Sequence, residues 1–398
     1  MPDAQDGIAP SHRTRWLILA MLFTCRTGLG FQFQTLGSVS GSLVSELGFS
    51  YAEIGTLIGF FMLPGLVLAL PVGYAGRYLP DRTLVAIGLM SLAVGGALAS
   101  IAQGFGLLAL GRVASGIGFV FSTIYLTKMV ADWFAGRELA TAMGVLVMSW
   151  PFGIAMGQIG HVWIAANFDW RAAFMVAAAY CAVGAVVVFL LYRPPVRATQ
   201  AQAVVPMGLP RSELVLTLLA ATVWGWFYAG YVVSLSFAPL VLMAGGYGAT
   251  QAAAVISIAS WVMILSGAIC GRIADRTGRH DQLFYGCTAV AVLVLLLLPQ
   301  TSVAVALSLL FGLIGVAPAG IIMALTGEAM APQRRAFGMG VFFSFYFVLM
   351  TLAPPIAGWL YDRGGDPYWP IVFAAVLFAC GALAHLAFRV AQRRHVAA

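Results

Sequence analysis

Acidic residues are scarce in this sequence, and the interiors of its apolar stretches contain none. Charged residues of either sign make up only 9% of the 398 residues, and Asp and Glu together number 14. Hydrophobic residues make up 61%, which is more than a soluble core can bury. This composition excludes an ordinary soluble domain and predicts an all-α protein that crosses a membrane many times.

Lysine is almost absent as well. Lys128 is the single lysine among 21 basic residues, so arginine carries nearly all of the net charge of +7. No basic run is long enough to follow a phosphate backbone, which an electrostatic nucleic-acid interface requires. We therefore expect a lipid bilayer around the protein and no nucleic-acid partner.

Motifs for enzymatic chemistry are missing too. The five cysteines all fall in apolar segments without the close spacing of a metal site, where cysteine behaves as a small hydrophobe. There is no phosphate-binding GxxxxGK[ST] loop, no HExxH helix and no GxSxG elbow. The sequence therefore predicts a protein that is not an enzyme and has neither cofactor nor metal.

Long apolar windows dominate the remaining sequence. Twelve of them reach the ~20 residues that a helix needs to cross a bilayer, and Pro318 in the tenth is one of the prolines that can kink a span. Spans 1 to 12 are predicted near 16–40, 51–75, 83–102, 105–129, 138–164, 170–192, 214–243, 250–271, 282–300, 302–326, 336–360 and 368–388. The longest connection between windows is rich in proline, which is typical of a linker. We predict twelve transmembrane helices: an N-terminal six-helix bundle over 1–192, a linker over 193–212 and a C-terminal six-helix bundle over 213–398.

The basic residues lie mainly on alternate connections. With the N-terminus in the cytoplasm, inner loops and tails carry most of them, and outer loops carry only Arg171 and Arg363. Such a bias sets the orientation of a polytopic protein. We expect both termini to be cytoplasmic, in a monomeric multi-pass protein of the cell (inner) membrane.

The two halves of the sequence repeat a loop pattern. Gly73 precedes the Asp81-Arg82 pair by eight residues after span 2, and Gly267 precedes Asp275-Arg276 by eight residues after span 8. Parallel repeats of six spans are one of the known transporter architectures.

Two motifs resemble those of a known family. The stretch Gly271-Arg-Ile-Ala-Asp-Arg-Thr-Gly-Arg279 resembles the loop motif of the major facilitator superfamily, and residues 73–82 resemble a degenerate copy of it. Span 4 carries Arg112-Val-Ala-Ser-Gly-Ile-Gly118, which is similar to the superfamily's Arg-x-x-x-Gly-x-Gly signature. This resemblance covers essentially the whole chain. It implies two helical bundles that rock around a central cavity lined by spans 1, 4, 7 and 10.

The loop motif supplies candidate residues for conformational gating. A carboxylate at a helix end can cap exposed N–H groups and pair with nearby arginine, and such pairs can form in one conformation and break in another. Static capping combined with charges that set orientation is the alternative. The candidate gating residues are Asp81, Arg82, Asp275, Arg276 and Arg279.

Two arginines lie inside apolar spans, with no acidic residue at a comparable depth. Arg26 is ~10 residues into span 1, hence ~15 Å from the inner surface and near the midplane. Arg112 is about two turns from the outer end of span 4. Charges at such depth are costly and usually mark a pathway, and guanidinium groups suit bidentate capture of carboxylates. We predict that both bind an anionic substrate, which Gln34 on span 1 would orient.

A structural role is the alternative for each arginine. Arg26 could brace backbone carbonyls between helices instead of binding substrate. In many members of the superfamily, the arginine that matches Arg112 is structural or assists proton coupling, and this resemblance alone would account for it.

Aromatic residues cluster on span 7. Trp224, Tyr228 and Tyr231 share one helical face, opposite the two arginines in the predicted cavity. An aromatic wall of this kind would enclose the apolar body of a small organic anion. Packing against lipid or other helices is the alternative for each side chain.

The sequence therefore predicts a secondary active transporter of a small organic anion, a monocarboxylate or dicarboxylate, working by alternating access. The transporter would act as an anion exchanger or a proton-coupled carrier. The alternative within transport is proton-driven efflux of drugs or other amphipathic compounds. A third possibility is a membrane receptor that does not transport, which the lack of a soluble signalling domain in the short tails disfavours.

Overall fold

Helices make up all of the regular structure in the described part of the chain. The computed structural model describes residues 12–134, 138–195 and 208–396. Twelve of its helical segments are long and apolar enough to cross a membrane. The predicted all-α class and the predicted number of spans are therefore confirmed.

The first six spans are single helices, and a short helix, Ser40–Leu47, follows span 1. The capping box predicted by Ser50 and Glu53 is present at the start of span 2. Spans 1 to 6 are His12–Ser38, Tyr51–Ala75, Asp81–Ser100, Phe105–Phe134, Leu139–Asn167 and Trp170–Leu191.

The last six spans contain the longest helices and one broken helix. Short 3₁₀ turns, Thr301–Val303 and Pro332–Arg334, precede spans 10 and 11. Spans 7 to 9, 11 and 12 are Arg211–Ala244, Ala249–Thr277, His280–Leu297, Arg335–Gly364 and Tyr368–Val396. Span 10 consists of Ala304–Leu310, the π-helical turn Phe311–Gly315 and Ala319–Ala329.

The break in span 10 occurs beside Pro318, one of the prolines expected to kink a span. Proline lacks the N–H that a continuous helix would use at this position, and a new helix begins at Ala319. Span 8 compensates for the break, because the Ser266 hydroxyl donates to the Gly312 carbonyl at 2.6 Å. Irregular backbone at this depth is tolerated where neighbouring helices satisfy its polar groups.

The spans form two six-helix bundles, the N-terminal half (spans 1–6) and the C-terminal half (spans 7–12). Because twelve spans alternate in direction, span 1 begins and span 12 ends at the same end of the molecule. We call this end the terminal face and the opposite end the distal face. Residues 196–207 of the predicted linker lie outside the described ranges, so the bounds 193–212 stay a prediction.

Glycines allow the two halves to meet closely between spans 2 and 11. A Cβ atom added at Gly55 would lie 2.0 Å from the Pro354 carbonyl oxygen, and one at Gly358 would lie 1.8 Å from that of Tyr51. Both separations are far inside van der Waals contact, so only glycine fits. This close packing of spans 2 and 11 closes the distal part of the interface between the halves.

A carboxylate reinforces this closure at the distal face. The Asp362 side chain, at the end of span 11, accepts hydrogen bonds from the backbone N–H groups of Tyr51 (2.8 Å) and Ala52 (2.7 Å). These are the first two residues of span 2, where the helix dipole favours negative charge. A charge-assisted cap from one half on a helix of the other therefore holds the distal ends together.

Ion pairs at the terminal face connect spans within one half. Lys128 on span 4 pairs with Asp81 on span 3 at 2.5 Å. In the other half, Arg389 on span 12 pairs with Asp281 on span 9 at 2.7 Å and with Glu328 on span 10. Each of these pairs joins two spans of the same half and so strengthens that bundle.

Candidate functional site

Arg26 is held by one nitrogen of its guanidinium group. Nη1 donates to the Leu146 carbonyl at 2.9 Å and to the Ser149 hydroxyl at 3.0 Å, both on span 5. A weaker contact reaches the Val147 carbonyl at 3.5 Å. These neutral acceptors hold the Arg26 side chain against span 5 and leave its charge uncompensated.

The other edge of the Arg26 guanidinium is open. Its Nε atom is buried and has no hydrogen-bond partner in the described ranges, and the bonds of the group all leave from Nη1. In the described part of the chain, no acidic side chain lies close enough to interact with the Arg26 charge. The titratable side chain within electrostatic range is that of Tyr228. The edge formed by Nε and Nη2 has the geometry that binds a carboxylate through two parallel hydrogen bonds.

Tyr228 brings the C-terminal half to this charge. It lies on span 7 and is buried, within electrostatic range of Arg26 on the other side of the interface between the halves. Its ring is 4.5 Å from that of Trp224 and 6.1 Å from that of Tyr231. The three aromatic residues predicted on span 7 therefore lie together, and Tyr228 is the one of them within electrostatic range of the arginine.

Span 11 extends this aromatic surface. The Tyr228 ring packs edge-on against that of Tyr346 at 6.1 Å, and the Tyr346 ring is 5.1 Å from that of Phe347. Phe347 in turn reaches the N-terminal half, where its ring is 6.3 Å from that of Phe119.

The N-terminal half contributes aromatic residues that the sequence analysis missed. The Trp150 ring lies 5.2 Å from that of Phe119 and 5.3 Å from that of Phe33, and the Phe33 ring lies 5.2 Å from that of Phe61. These residues come from four different spans, so no periodicity within one helix could have grouped them. Together with span 7, they give the interface an aromatic lining from both halves.

Gln34 is buried and bonded within its own helix. Its Nε2 donates to the Ser38 hydroxyl at 3.3 Å, and Ser38 donates to the Gly157 carbonyl on span 5 at 3.2 Å. A Cβ atom at Gly37 would lie 3.4 Å from this amide and 3.5 Å from the Ser236 hydroxyl of span 7. Gln34 therefore lies where spans 1, 5 and 7 meet.

Arg112, unlike Arg26, has a hydrogen-bond partner at every guanidinium nitrogen. It is 1% exposed, and all three guanidinium nitrogens donate to backbone carbonyls of Leu57 (3.1 Å), Gln32 (3.3 Å) and Phe33 (3.3 Å). The group also lies 4.6 Å from the centre of the Phe61 ring. These contacts give each of the three nitrogens a partner and tie span 4 to spans 1 and 2.

A buried hydrogen-bond chain crosses between the halves beside Tyr228. The Tyr231 hydroxyl of span 7 bonds with the Ser260 hydroxyl of span 8 at 3.0 Å, and Ser260 donates to Gln158 Oε1 of span 5 at 3.1 Å. Gln158 was not singled out from the sequence, because its partner Ser260 is 102 residues away and reaches it only when spans 5 and 8 pack together.

The predicted gating residues lie at the terminal face, each in contact with its own half. Asp81 is paired with Lys128, the Arg82 guanidinium lies 5.7 Å from the Phe189 ring, and Asp275 is 3.5 Å from the His280 imidazole. Arg276 lies in the last turn of span 8, and the Arg279 backbone N–H donates to the Thr277 hydroxyl at 3.4 Å.

Known proteins resemble this chain over most of its length. Its sequence matches the Major Facilitator Superfamily over residues 22–323. A cis,cis-muconate transport protein of Acinetobacter baylyi is 22% identical over 383 residues, which cover 91% of this chain and 92% of that protein. Multidrug resistance protein 1 of Bacillus subtilis is 23% identical over 399 residues, which cover 94% of this chain and 96% of that protein.

A solved structure has the same fold. A bacterial homolog of the human lysosomal transporter Spinster, in an inward-facing and occupied conformation, aligns with a TM-score of 0.76 and 16% identity. The alignment covers 96% of this chain and 98% of that one. With its sequence match, its twelve spans and this fold, the chain belongs to the Major Facilitator Superfamily of membrane transporters.

Proposed function

We propose that this protein is a secondary active transporter of small organic anions, most simply carboxylates. The observation that carries the proposal is the Arg26 guanidinium, whose Nε has no hydrogen-bond partner and which has no acidic partner among the described residues, near Tyr228 of the opposite half. An anion bound there neutralises a charge that is otherwise costly inside the membrane. The anion also contacts both halves at once, which alternating access requires.

The other predicted site residues take separate roles in this proposal. Arg26 binds the carboxylate, while Trp224, Tyr228 and Tyr231 enclose the apolar body of the substrate. Gln34 orients the substrate from span 1. Arg112 has its guanidinium occupied by carbonyls, so it braces the N-terminal half and adds positive charge without touching the substrate.

The conformation described here fits one step of a transport cycle. We propose that the terminal face is cytoplasmic, because basic residues concentrate on its loops and tails, in the inner membrane of the cell. The distal face is sealed by Asp362 and the glycine contacts of spans 2 and 11, so access is from the cytoplasm. When the distal face opens, Asp81, Arg82, Asp275, Arg276 and Arg279 approach the opposite half and gate the terminal face.

A binding screen followed by transport tests the proposal. Thermal unfolding of the purified protein is measured with carboxylates, small inorganic anions and cationic drugs, since a ligand raises stability with its concentration over its Kd. A carboxylate that raises the unfolding temperature is then tested for uptake into liposomes, as free anion exchange and with an imposed proton gradient. A protein that responds to no anion would contradict the proposal.

Drug efflux is a second candidate, which the relative named as a multidrug resistance protein favours. The aromatic lining from both halves would accept amphipathic compounds, but the unpaired Arg26 repels cations. The same screen separates the two functions. Stabilisation by cationic drugs alone identifies efflux, and stabilisation by carboxylates alone identifies anion transport.

A further inference from the structure

Two arginines lie at the terminal ends of spans 3 and 6, which pack side by side. Arg82 is in the first turn of span 3, and Arg193 follows the residue that ends span 6. Both side chains are exposed, and in the described part of the chain neither arginine forms an ion pair. The acid next to Arg82 in the sequence, Asp81, is bonded to Lys128 instead. Two positive charges on this surface are therefore available to a ligand.

Phe189 brings the two charges to one place. The Arg82 guanidinium lies 5.7 Å from the centre of the Phe189 ring, across the contact between spans 3 and 6. Arg193 follows Phe189 by four residues in the sequence. Because neither guanidinium has a hydrogen-bond acceptor among the described residues, their N–H groups are free to bind the oxygens of a phosphate.

An exposed apolar strip runs from these charges along both spans. Its residues recur at intervals of three and four, which places them on one face of each helix. They are Ile87, Met90 and Val94 on span 3, and Val183, Val186 and Leu190 on span 6. From Arg82 to Val94 the helix rises ~18 Å, about the thickness of one leaflet of a ~30 Å hydrocarbon core. An acyl chain along this strip would have its headgroup beside the two arginines.

The charge of the site selects the headgroup. A phosphatidylcholine headgroup carries a cation beside its phosphate and has no net charge to offer two arginines. A phosphatidylglycerol headgroup has a net negative charge, and basic surfaces between membrane helices bind such headgroups. A soluble phosphate has the same charge but no acyl chain for the strip.

We propose that the surface between spans 3 and 6 binds an acidic phospholipid, whose phosphate is held by Arg82 and Arg193 and whose acyl chains lie along the apolar strip. This site is separate from the anion site at Arg26. It goes beyond the proposed transport function and does not depend on it.

The test compares dioleoylphosphatidylglycerol with dioleoylphosphatidylcholine, which have the same acyl chains. Each lipid is titrated into the protein purified in a neutral detergent, and native mass spectrometry gives the Kd of the bound lipid. We expect the wild type to bind the acidic lipid at least ~10-fold more tightly, because each arginine near an acidic headgroup contributes about a 5-fold effect. The double variant Arg82→Gln, Arg193→Gln should lose this preference, and Arg82→Lys, Arg193→Lys should retain most of it.

The matched control removes the same charge elsewhere on the terminal face. Arg393→Gln, Arg394→Gln changes two exposed arginines at the end of a single helix, span 12, and should keep the lipid preference. The unfolding temperature without lipid shows that each variant is folded. Should the double glutamine variant not fold, the single variants Arg82→Gln and Arg193→Gln replace it, each with an expected ~5-fold loss.

Three results would overturn the proposal. The first is a wild type that binds both lipids equally, or a double glutamine variant with an unchanged preference. The second is an equal loss of preference in the control variant, which would assign the effect to the overall charge of the terminal face. The third is glycerol phosphate binding as tightly as the acidic lipid, which would make this a site for a soluble phosphate. None of these results bears on anion transport.

Discussion

The Arg26 guanidinium on span 1 lies within electrostatic range of the Tyr228 side chain on span 7, so an uncompensated positive charge lies near the interface between the two halves of the transporter. Hydrogen bonds to span 5 fix Nη1 of this arginine, and its remaining edge is unoccupied. An anion placed between the two residues would bond one half and pack against the other. Binding at this position is therefore coupled to the relative placement of the halves.

Replacement of Arg26 should abolish anion binding. Arg26→Ala removes the charge, so we expect a folded protein that takes up no anion into liposomes. Arg26→Lys keeps the charge but cannot form two parallel bonds, so affinity should fall ~10- to 100-fold. Arg171→Ala is a matched control, because it removes an arginine that pairs with Asp169 near the distal face. Normal uptake by Arg26→Ala would make this arginine structural.

Replacement of Arg112 should lower stability instead. Arg112→Ala removes donors from three backbone carbonyls and leaves a cavity against Phe61, at a cost of about 2–4 kcal/mol. Thermal unfolding followed by size-exclusion chromatography measures the effect. We expect a clearly lower unfolding temperature for Arg112→Ala than for Arg26→Ala, with the anion affinity of the folded fraction largely retained. The reverse order would place Arg112 among the substrate ligands.

The twelve spans could be predicted from the sequence because they depend on local apolar runs. The depth of Arg26, counted in residues along span 1, stays a prediction. The hydrogen bonds of Arg112 are made to carbonyls 55 and 80 residues away. Only the packing of spans 1, 2 and 4 brings these carbonyls to the guanidinium. The contact of Asp362 with Tyr51 joins residues 311 apart, and the hydrogen bond from Ser260 to Gln158 joins residues 102 apart. Contacts between helices, rather than the helices themselves, are therefore what the sequence alone leaves open.

Replacement of Asp362 should loosen the distal face. Its carboxylate caps the first turn of span 2 from an exposed position, and such a contact contributes about 1 kcal/mol. Asp362→Ala should therefore raise the population open at the distal face ~5-fold. Spin labels are placed at Ser45 and Gln300, which are both exposed near the distal face, one in each half. Pulsed electron paramagnetic resonance measures the distribution of distances between the labels, and thus this population.

A nearby acid provides the control for this measurement. Asp366 is also exposed, but it caps Tyr368 within its own half, so Asp366→Ala should leave the distances between the labels unchanged. An identical distribution in Asp362→Ala and the wild type would mean that the contact does not hold the halves together.

A side chain at Gly358 should have a larger effect than the loss of Asp362. The added methyl group would lie 1.8 Å from the Tyr51 carbonyl oxygen, and backbone cannot retreat as a flexible side chain can, so spans 2 and 11 must separate. Overpacking of this kind costs about 1–3 kcal/mol, and here the cost falls only on the conformation that is closed at the distal face. Gly358→Ala should therefore shift the spin-label distances further toward the open population than Asp362→Ala does.

Gly73→Ala is the matched control, because a Cβ atom there meets nothing within 4 Å. Equal distributions in the two glycine variants would show that the close crossing of spans 2 and 11 does not set the conformation.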